Sequence, residues 1–266
     1  MIVTLLTDFG TRDYFVGALK GALLSVNPEA VIVDITHDVA PHDVDEAAFT
    51  LAAAYETFPA GTVHVAVVDP GVGSARRAIA VEGAGHLFVG PDNGVFGHVY
   101  ERLGRFRVFH VVERKFFRES VSTTFHGRDV FAPVAGALSL GVRARKLGPE
   151  VADFVRLPFA APFQRDASTL VATVIHVDCF GNCVTNVAPR DLGGEAKARG
   201  ASLVAGGRRV SSFRRFFADG AGDPGEPFAV WGSAGLLEIA VFKDSAARVL
   251  GLGRGSEVEV VLAGAG

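Results

Sequence analysis

One acidic residue and two arginines lie within a short glycine-containing turn, residues 67–77, that follows an apolar segment. Residues 62–68 are β-branched and apolar at nearly every position, which is typical of a central parallel strand covered on both faces. Asp69 follows this strand at the edge where open α/β sheets bind ligands, so its carboxylate is a candidate for chemistry. The tight turn lets Arg76 fold back toward Asp69. The same pattern also fits a strand, a Pro-Gly turn and a solvated basic pair.

Two further polar residues stand next to predicted elements. Asp8 follows the apolar strand 2–6, so it lies on the same sheet edge as Asp69. His126 precedes residues 130–140, which are apolar at helical spacing, and therefore stands at or just before a helix N-terminus. A lone histidine there is usually a cap or a surface group. Its role depends on whether the Asp69 turn lies nearby, which spacing alone does not establish.

The order of the predicted elements indicates two domains. Residues 1–157 alternate strands and helices with short connections, which predicts an α/β domain with a doubly wound, largely parallel sheet. Residues 158–168 are predicted to connect the domains. Residues 169–266 contain short alternating strands separated by glycine turns, which predicts a smaller C-terminal antiparallel β-barrel. In that domain the polar stretch 176–182 is the first candidate for a ligand site, although it also fits a simple turn.

The composition excludes several classes of partner. The chain has 266 residues, 49% of them hydrophobic, and a net charge of -3 without a long basic run, so no nucleic-acid partner is predicted. No apolar segment approaches a membrane span and no leader pattern follows Met1, so we expect a cytoplasmic protein without a membrane partner. Two cysteines, Cys179 and Cys183, are too few for a disulfide framework or a complete zinc site, and no metal site is predicted.

Taken together, these motifs resemble a known enzyme family. The sequence is similar to the S-adenosyl-L-methionine (SAM) hydroxide adenosyltransferases, also called SAM hydrolases, which are relatives of the fluorinase and chlorinase enzymes. The likeness runs over nearly the whole chain in ordered blocks at family spacing. These blocks are residues 7–10, 34–37, 58–63, 69–77, 90–94, 125–129, 178–186 and 233–240.

The resemblance implies an architecture and an activity. It implies an N-terminal α/β domain, a C-terminal β-barrel, and a homotrimer whose sites lie between the N-terminal domain of one subunit and the C-terminal domain of the next. It also implies cleavage of SAM by water to adenosine and methionine, without a metal or redox cofactor. The family's catalytic aspartate, arginine and histidine fall on Asp69, Arg76 and His126, and all three residue types match.

These three residue types suit the reaction that the resemblance implies. Sulfonium is an excellent leaving group, but water is a poor nucleophile toward the ribose 5′ carbon. A carboxylate can accept the proton of the water, a guanidinium can steady the developing charge, and an imidazole can orient the water. Holding the water in line with the breaking carbon–sulfur bond would supply much of the acceleration.

The resemblance also implies substrate contacts. It places Asp8 on the ribose hydroxyls, since one carboxylate can accept hydrogen bonds from both members of a cis-diol. Asp178 and Asn182 would meet the ammonium of the methionine portion, and Ser233 its carboxylate. Phe180 is a candidate for stacking on adenine, although a phenylalanine of the core is an alternative interpretation.

The chain departs from the fluorinase at several of these positions. Ala234 replaces an arginine after the serine and Val184 replaces a tryptophan, while Phe242 stands where an asparagine is usual. The departures concern the carboxylate contacts and the adenine pocket rather than the predicted catalytic residues.

Two alternatives stay open from the sequence. A halide-dependent adenosyl transferase could use the same scaffold, although the fluorinase has tyrosines at the positions of Asp69 and His126 and a threonine at that of Arg76. A carboxylate would repel a halide by about 4 kcal/mol at roughly 4 Å in an effective dielectric near 20, which favours water. The second alternative is a nucleoside- or SAM-binding module that does not turn its ligand over.

Overall fold

A computed structural model describes residues 1–157, 160–194, 200–220 and 225–262. The chain divides into two units, residues 1–158 and 159–266. Of the predicted connection 158–168, residues 158 and 159 lie outside the described ranges. Phe163–Gln164, within the same stretch, form a short strand that pairs antiparallel with residues 170–171 of the second unit.

The first unit is built on a seven-stranded sheet. Its order is β2-β1-β3-β5-β4-β6-β7. The strands are β1 (Ile2–Thr7), β2 (Val31–Thr36), β3 (Val63–Val67), β4 (Ala78–Gly83), β5 (His86–Pro91), β6 (Phe106–His110) and β7 (Glu150–Val151). The run β2-β1-β3-β5 is parallel, as predicted for a doubly wound fold, and the remaining pairs are antiparallel. Ala84 and Gly85 both have positive φ, and such a two-residue turn makes β4 and β5 a hairpin.

Helices cover both faces of this sheet. They are α1 (Phe15–Leu24), α2 (Val44–Ala54), α3 (Gly97–Leu103) and α4 (Ala132–Ser139). Because side chains alternate along a strand, Leu5 packs into one core with α1 and α4, whereas Leu6 packs into the other with α2 and α3. The predicted α/β class is therefore confirmed.

The second unit is an antiparallel, nearly closed barrel. Its main order is β12-β11-β15-β9-β10-β14-β13, with β8 on the side of β9. An isolated bridge from Phe213 to Ala229 brings the chain beyond β12 to β13. Its elements are β8 (Phe163–Gln164), β9 (Thr169–Val177), β10 (Cys183–Thr185), β11 (Ser202–Ala205), β12 (Arg208–Val210), β13 (Pro227–Trp231), β14 (Leu237–Val241), α5 (Ala246–Leu250) and β15 (Glu257–Val261). The predicted C-terminal barrel is confirmed. Among the helices within the described ranges, none has the length and apolar character that a membrane crossing requires.

Sheet register explains why two acidic residues lie at one edge of the first unit. Strands β1 and β3 are parallel neighbours, and Thr7 pairs with Val67 at their carboxyl ends. Asp8 and Asp69 follow directly after these two strand ends. Polar side chains that leave neighbouring parallel strands at this edge can meet over one ligand.

Candidate active site

Asp69 and Arg76 form a closely coupled ion pair on the turn after β3. Arg76 Nε donates to Oδ1 of Asp69 at 2.9 Å and to Oδ2 at 3.0 Å, and Nη2 donates to Oδ2 as well. The side chains are only 5% exposed for Asp69 and 10% for Arg76. An ion pair so well shielded from water is stronger than a surface pair and holds both groups in one orientation.

The same guanidinium reaches His126. Arg76 Nη2 lies 2.8 Å from His126 Nδ1. Arginine carries only donors, so Nδ1 must accept this bond, which leaves the imidazole neutral with its proton on Nε2. Burial and the charge of Arg76 both lower the pKa of His126, in agreement with the neutral form. Carboxylate, guanidinium and imidazole thus form one chain of hydrogen bonds.

A buried aspartate holds the loop that carries His126. Asp129 is fully buried, and its Oδ2 accepts a hydrogen bond from the backbone N–H of Ser122 at 2.8 Å. Arg128 balances its charge with bonds of 2.7 and 2.9 Å to the two carboxylate oxygens. His126 immediately precedes a π-helix, Gly127–Phe131, which continues into α4. The sequence predicts a helix over 130–140, but the wider first turn has no signature that periodicity detects.

Close backbone packing joins this loop to the Asp69 turn. Gly73 has φ +79°, and a Cβ built there would overlap the carbonyl oxygen of Thr123. Only glycine therefore lets the two segments approach this closely. The contact sets the separation across which Arg76 reaches His126.

The first unit contains a cavity of about 280 Å³ at this place. Asp8, Asp69 and His126 all line it, together with apolar side chains such as Phe9 and Phe125. The structure thus brings His126 to the same cavity as Asp8 and Asp69, the two acids that the sheet-edge rule already placed together. Arg76 is hydrogen-bonded to two of these lining residues, Asp69 and His126.

Sequence reasoning did not assign His42, a titratable residue that also lines this cavity. Its backbone N–H donates to Asp8 Oδ2 at 2.9 Å, which orients that carboxylate. His42 has φ 69°, an unfavourable conformation for a residue with a side chain. Its position in a polar loop next to proline gave no signal of that geometry.

The second unit has a larger cavity of about 700 Å³. It is lined by Asp178, Phe180, Asn182 and Ser233, the four residues that the resemblance assigns to substrate in this domain. Other aromatic and polar residues of its wall are Phe217, Trp231, Glu238, Phe242, Lys243, Asp244 and Ser245. Phe180 is 76% exposed, so it is not a residue of the barrel core.

Asp178 and Asn182 are engaged mainly with each other. Asp178 Oδ1 accepts the backbone N–H groups of Phe180 at 2.9 Å and Asn182 at 2.8 Å. Its Oδ2 accepts Asn182 Nδ2 at 2.8 Å. These bonds fix the turn and leave part of the Asp178 carboxylate for a ligand.

Glu238 and Asp244 are further carboxyl groups of this cavity wall, and sequence reasoning assigned neither. Glu238 is 8% exposed, and burial together with the charge of Asp178 raises its pKa. Strand alternation places Glu238 on the face opposite the barrel core, a pattern that does not distinguish a solvated glutamate from a buried one.

Family models match both units. The model of the SAM hydroxide adenosyltransferase N-terminal domain matches residues 3–148, and the model of the C-terminal domain matches residues 172–259. The chain belongs to the SAM hydroxide adenosyltransferase family. In this family member both cavities lie within the matched ranges.

Known relatives agree with this membership. The chain is 39% identical over 97% of its length to a protein from Thermus thermophilus named (R)-S-adenosyl-L-methionine hydrolase, of which the match covers 99%. A fluorinase from Nocardia brasiliensis is 29% identical, with 97% of this chain and 96% of the fluorinase covered. A crystal structure of an uncharacterized conserved protein from Thermotoga maritima superposes with a TM-score of 0.89 at 36% identity, covering 98% of this chain and all of that one.

The packing of Gly73 predicts a difference between two glycine substitutions. Gly61 also has positive φ, but nothing lies within 4 Å of a Cβ there. Gly61→Ala should therefore cost only the backbone strain, about 1–2 kcal/mol of unfolding free energy. Gly73→Ala should cost about 1–3 kcal/mol more, because its methyl group meets backbone. Urea denaturation of both variants measures the difference, and equal losses would contradict the close approach.

The hydrogen bond from Arg76 to His126 predicts how the imidazole titrates. Because burial and the arginine charge disfavour the imidazolium, the NMR titration midpoint of His126 should lie below 6.5, the ordinary histidine value. In Arg76→Met one of these causes is removed, so the midpoint should rise. A wild-type midpoint above 6.5, or a fall in the variant, would exclude the neutral acceptor.

Proposed function

We propose that this protein hydrolyses SAM to adenosine and L-methionine by in-line attack of water on the ribose 5′ carbon. The observation that carries the proposal is the chain of hydrogen bonds through Asp69, Arg76 and His126 beside a cavity that also contains Asp8. The name of the Thermus thermophilus relative supports the same reaction.

Each of the three residues has a separate role in the proposed step. Asp69 accepts a proton from the water as its oxygen bonds to the 5′ carbon, while the carbon–sulfur bond breaks and its electron pair goes to sulfur. Arg76 balances the carboxylate charge and, through its hydrogen bonds to both side chains, holds Asp69 and His126 at a fixed distance from each other. The Nε2–H of neutral His126 donates to the water oxygen, which directs another lone pair toward the carbon.

The remaining predicted residues are proposed to bind the substrate. Asp8 accepts hydrogen bonds from the ribose hydroxyls, and its carboxylate is already oriented by the backbone N–H of His42. In the second unit, Asp178 and Asn182 face the methionine ammonium, Ser233 its carboxylate, and exposed Phe180 offers a ring face to adenine. The polar and aromatic character of the cavity wall supports this division.

We also propose the homotrimer that the family resemblance implies. In it, the first-unit cavity of one subunit and the second-unit cavity of its neighbour bind one substrate molecule. The residues proposed for the chemistry and those proposed to bind the methionine portion line different cavities. This separation supports a site that is shared between subunits.

Reaction in ¹⁸O-labelled water with chloride present tests the chemistry. The wild-type protein should release methionine together with adenosine that carries the label at its 5′ oxygen, as measured by mass spectrometry. A 5′-chlorinated nucleoside would support the halide transferase instead. Retention of intact SAM without methionine release would support a binding module.

In the same assay, Asp69→Asn should lower the rate of labelled adenosine formation by about 10²–10⁴-fold, the usual contribution of a general base. SAM affinity should change far less, because the shape of the side chain is kept. Asp153→Asn is the matched control, since Asp153 also pairs with an arginine, Arg77, but is exposed. Undiminished turnover by Asp69→Asn would refute its assignment as the base.

Mixing two inactive variants tests the shared site. Asp69→Asn and Asp178→Asn subunits, expressed together with different tags, should form mixed trimers. About one quarter of head-to-tail interfaces would then pair an intact first unit with an intact second unit and regain activity. Sites formed within single subunits would stay inactive in every mixture, and light scattering would report the oligomeric state independently.

A further inference from the structure

The residue that follows β2 is a buried histidine, His37, which the proposed reaction does not use. It ends the sequence block 34–37, no residue of which has a role in that reaction. Its side chain is only 4% exposed. A buried imidazole must recover from the protein the hydrogen bonds that it loses with water, so the partners of His37 indicate what it does.

The imidazole of His37 is bonded to the last residue of β1. Its Nδ1 lies 2.8 Å from Oγ1 of Thr7, which is fully buried. Its Nε2 lies 3.1 Å from Oδ1 of Asp34, and a carboxylate at this distance favours the tautomer with the proton on Nε2. Nδ1 then accepts the hydrogen bond and the Thr7 hydroxyl donates it.

This contact extends to the residues around Asp8. Oγ1 of Thr7 also accepts the backbone N–H of Phe9 at 3.2 Å. One residue further along, the N–H of Gly10 donates to the backbone carbonyl of His37 at 2.7 Å. The side chain and the backbone of His37 therefore hold the chain on both sides of Asp8.

An irregularity in the pairing of β1 and β2 aims the imidazole. Leu5 pairs with Asp34, but the next residue of β1, Leu6, pairs with Thr36. One residue of β2 is thus left without a partner in β1, as in a β-bulge, which re-aims the side chains beyond it. In an unbroken register Thr36 would stand opposite Thr7, whereas the bulge brings the imidazole that follows β2 level with Thr7.

We infer that His37 is a positioning residue that holds the carboxylate of Asp8 in place for the ribose hydroxyls. This inference rests on the proposed function, because that function gives Asp8 the ribose hydroxyls as its ligand. A carboxylate that meets two hydroxyls at once must be held to within roughly 0.5 Å. The backbone N–H of His42 orients one of its oxygens, and His37 fixes the backbone from which it projects.

Two nucleosides that differ in the ribose hydroxyls test the inference. Adenosine and 2′,3′-dideoxyadenosine, which lacks both hydroxyls, would be titrated calorimetrically into the full chain. The wild-type protein should prefer adenosine, and Asp8→Asn should lose most of this preference. His37→Leu should reduce it about tenfold, the usual effect of weakening a hydrogen bond to a charged group. In SAM hydrolysis His37→Leu should raise KM with a smaller change in kcat.

A pair of substitutions at Thr7 tests the hydroxyl separately. Thr7→Val keeps the shape of the side chain but removes the hydroxyl between His37 and the N–H of Phe9, so it should reduce the preference as His37→Leu does. Thr7→Ser keeps the hydroxyl and should retain the preference. This pair tests the inference if His37→Leu does not fold.

His64→Leu is the matched control for the loss of a buried histidine. His64 is fully buried, and its Nδ1 also lies 2.8 Å from the Oγ1 of a threonine of β1. That threonine is Thr4, which lies three residues before the end of the strand. His64→Leu should therefore lower the urea midpoint of unfolding without changing the preference for adenosine.

An unchanged preference in both His37→Leu and Thr7→Val, with a loss in Asp8→Asn, would overturn the inference. An equal loss in His64→Leu would also overturn it, because the preference would then follow the stability of β1. If Asp8→Asn keeps the preference, the proposed ribose contact fails and the inference fails with it. If the variants behave as expected but the wild-type protein releases no labelled adenosine from SAM, only the proposed hydrolysis fails.

Discussion

The candidate site depends on the hydrogen bonds by which the guanidinium of Arg76 joins Asp69 to His126. This guanidinium donates to the carboxylate of Asp69 and to the imidazole of His126, so one planar group sets the distance between the two. It also fixes the histidine tautomer, because an arginine can only donate. Its Cζ lies 5.2 Å from the ring centre of Phe131 in the π-helix, which restricts the plane of the guanidinium. A lysine, with one compact ammonium, could not hold both partners in this geometry.

This geometry requires that the backbone hold three chain segments together. The carboxyl ends of β1 and β3 place Asp8 beside Asp69 through parallel register. The absence of a side chain at Gly73 lets the Asp69 turn contact Thr123, and Asp129 fixes the same loop through the N–H of Ser122. The rigid sheet thus supplies the acids, and close loop packing supplies the histidine.

The sequence predicts the parts of this arrangement that follow from local rules. Strand patterns and the sheet-edge rule place Asp8 and Asp69 correctly on one edge, and short alternating segments predict the barrel. The position of His126 could not be derived from the residues alone, because it depends on contacts between segments 50 residues apart. The antiparallel hairpin of β4 and β5 depends on Ala84 in a left-handed conformation, which an alanine does not signal. Glu238 escaped assignment because its lack of partners is a property of the packed structure.

Comparison of buried polar groups separates structural roles from binding roles. His64 is fully buried in the first unit, but Thr4 Oγ1 lies 2.8 Å from its Nδ1 and His86 Nδ1 lies 3.1 Å from its Nε2. Burial and the neighbouring His86 lower the pKa of His64 to about 3, so it is a neutral residue whose polar atoms are satisfied within the core. Glu238 is buried almost as well, faces a cavity and has no such partners among the described residues. Burial alone therefore does not mark a binding role, because His64 recovers from the protein the hydrogen bonds that it loses with water, whereas Glu238 lines a cavity that solvent or a ligand can enter.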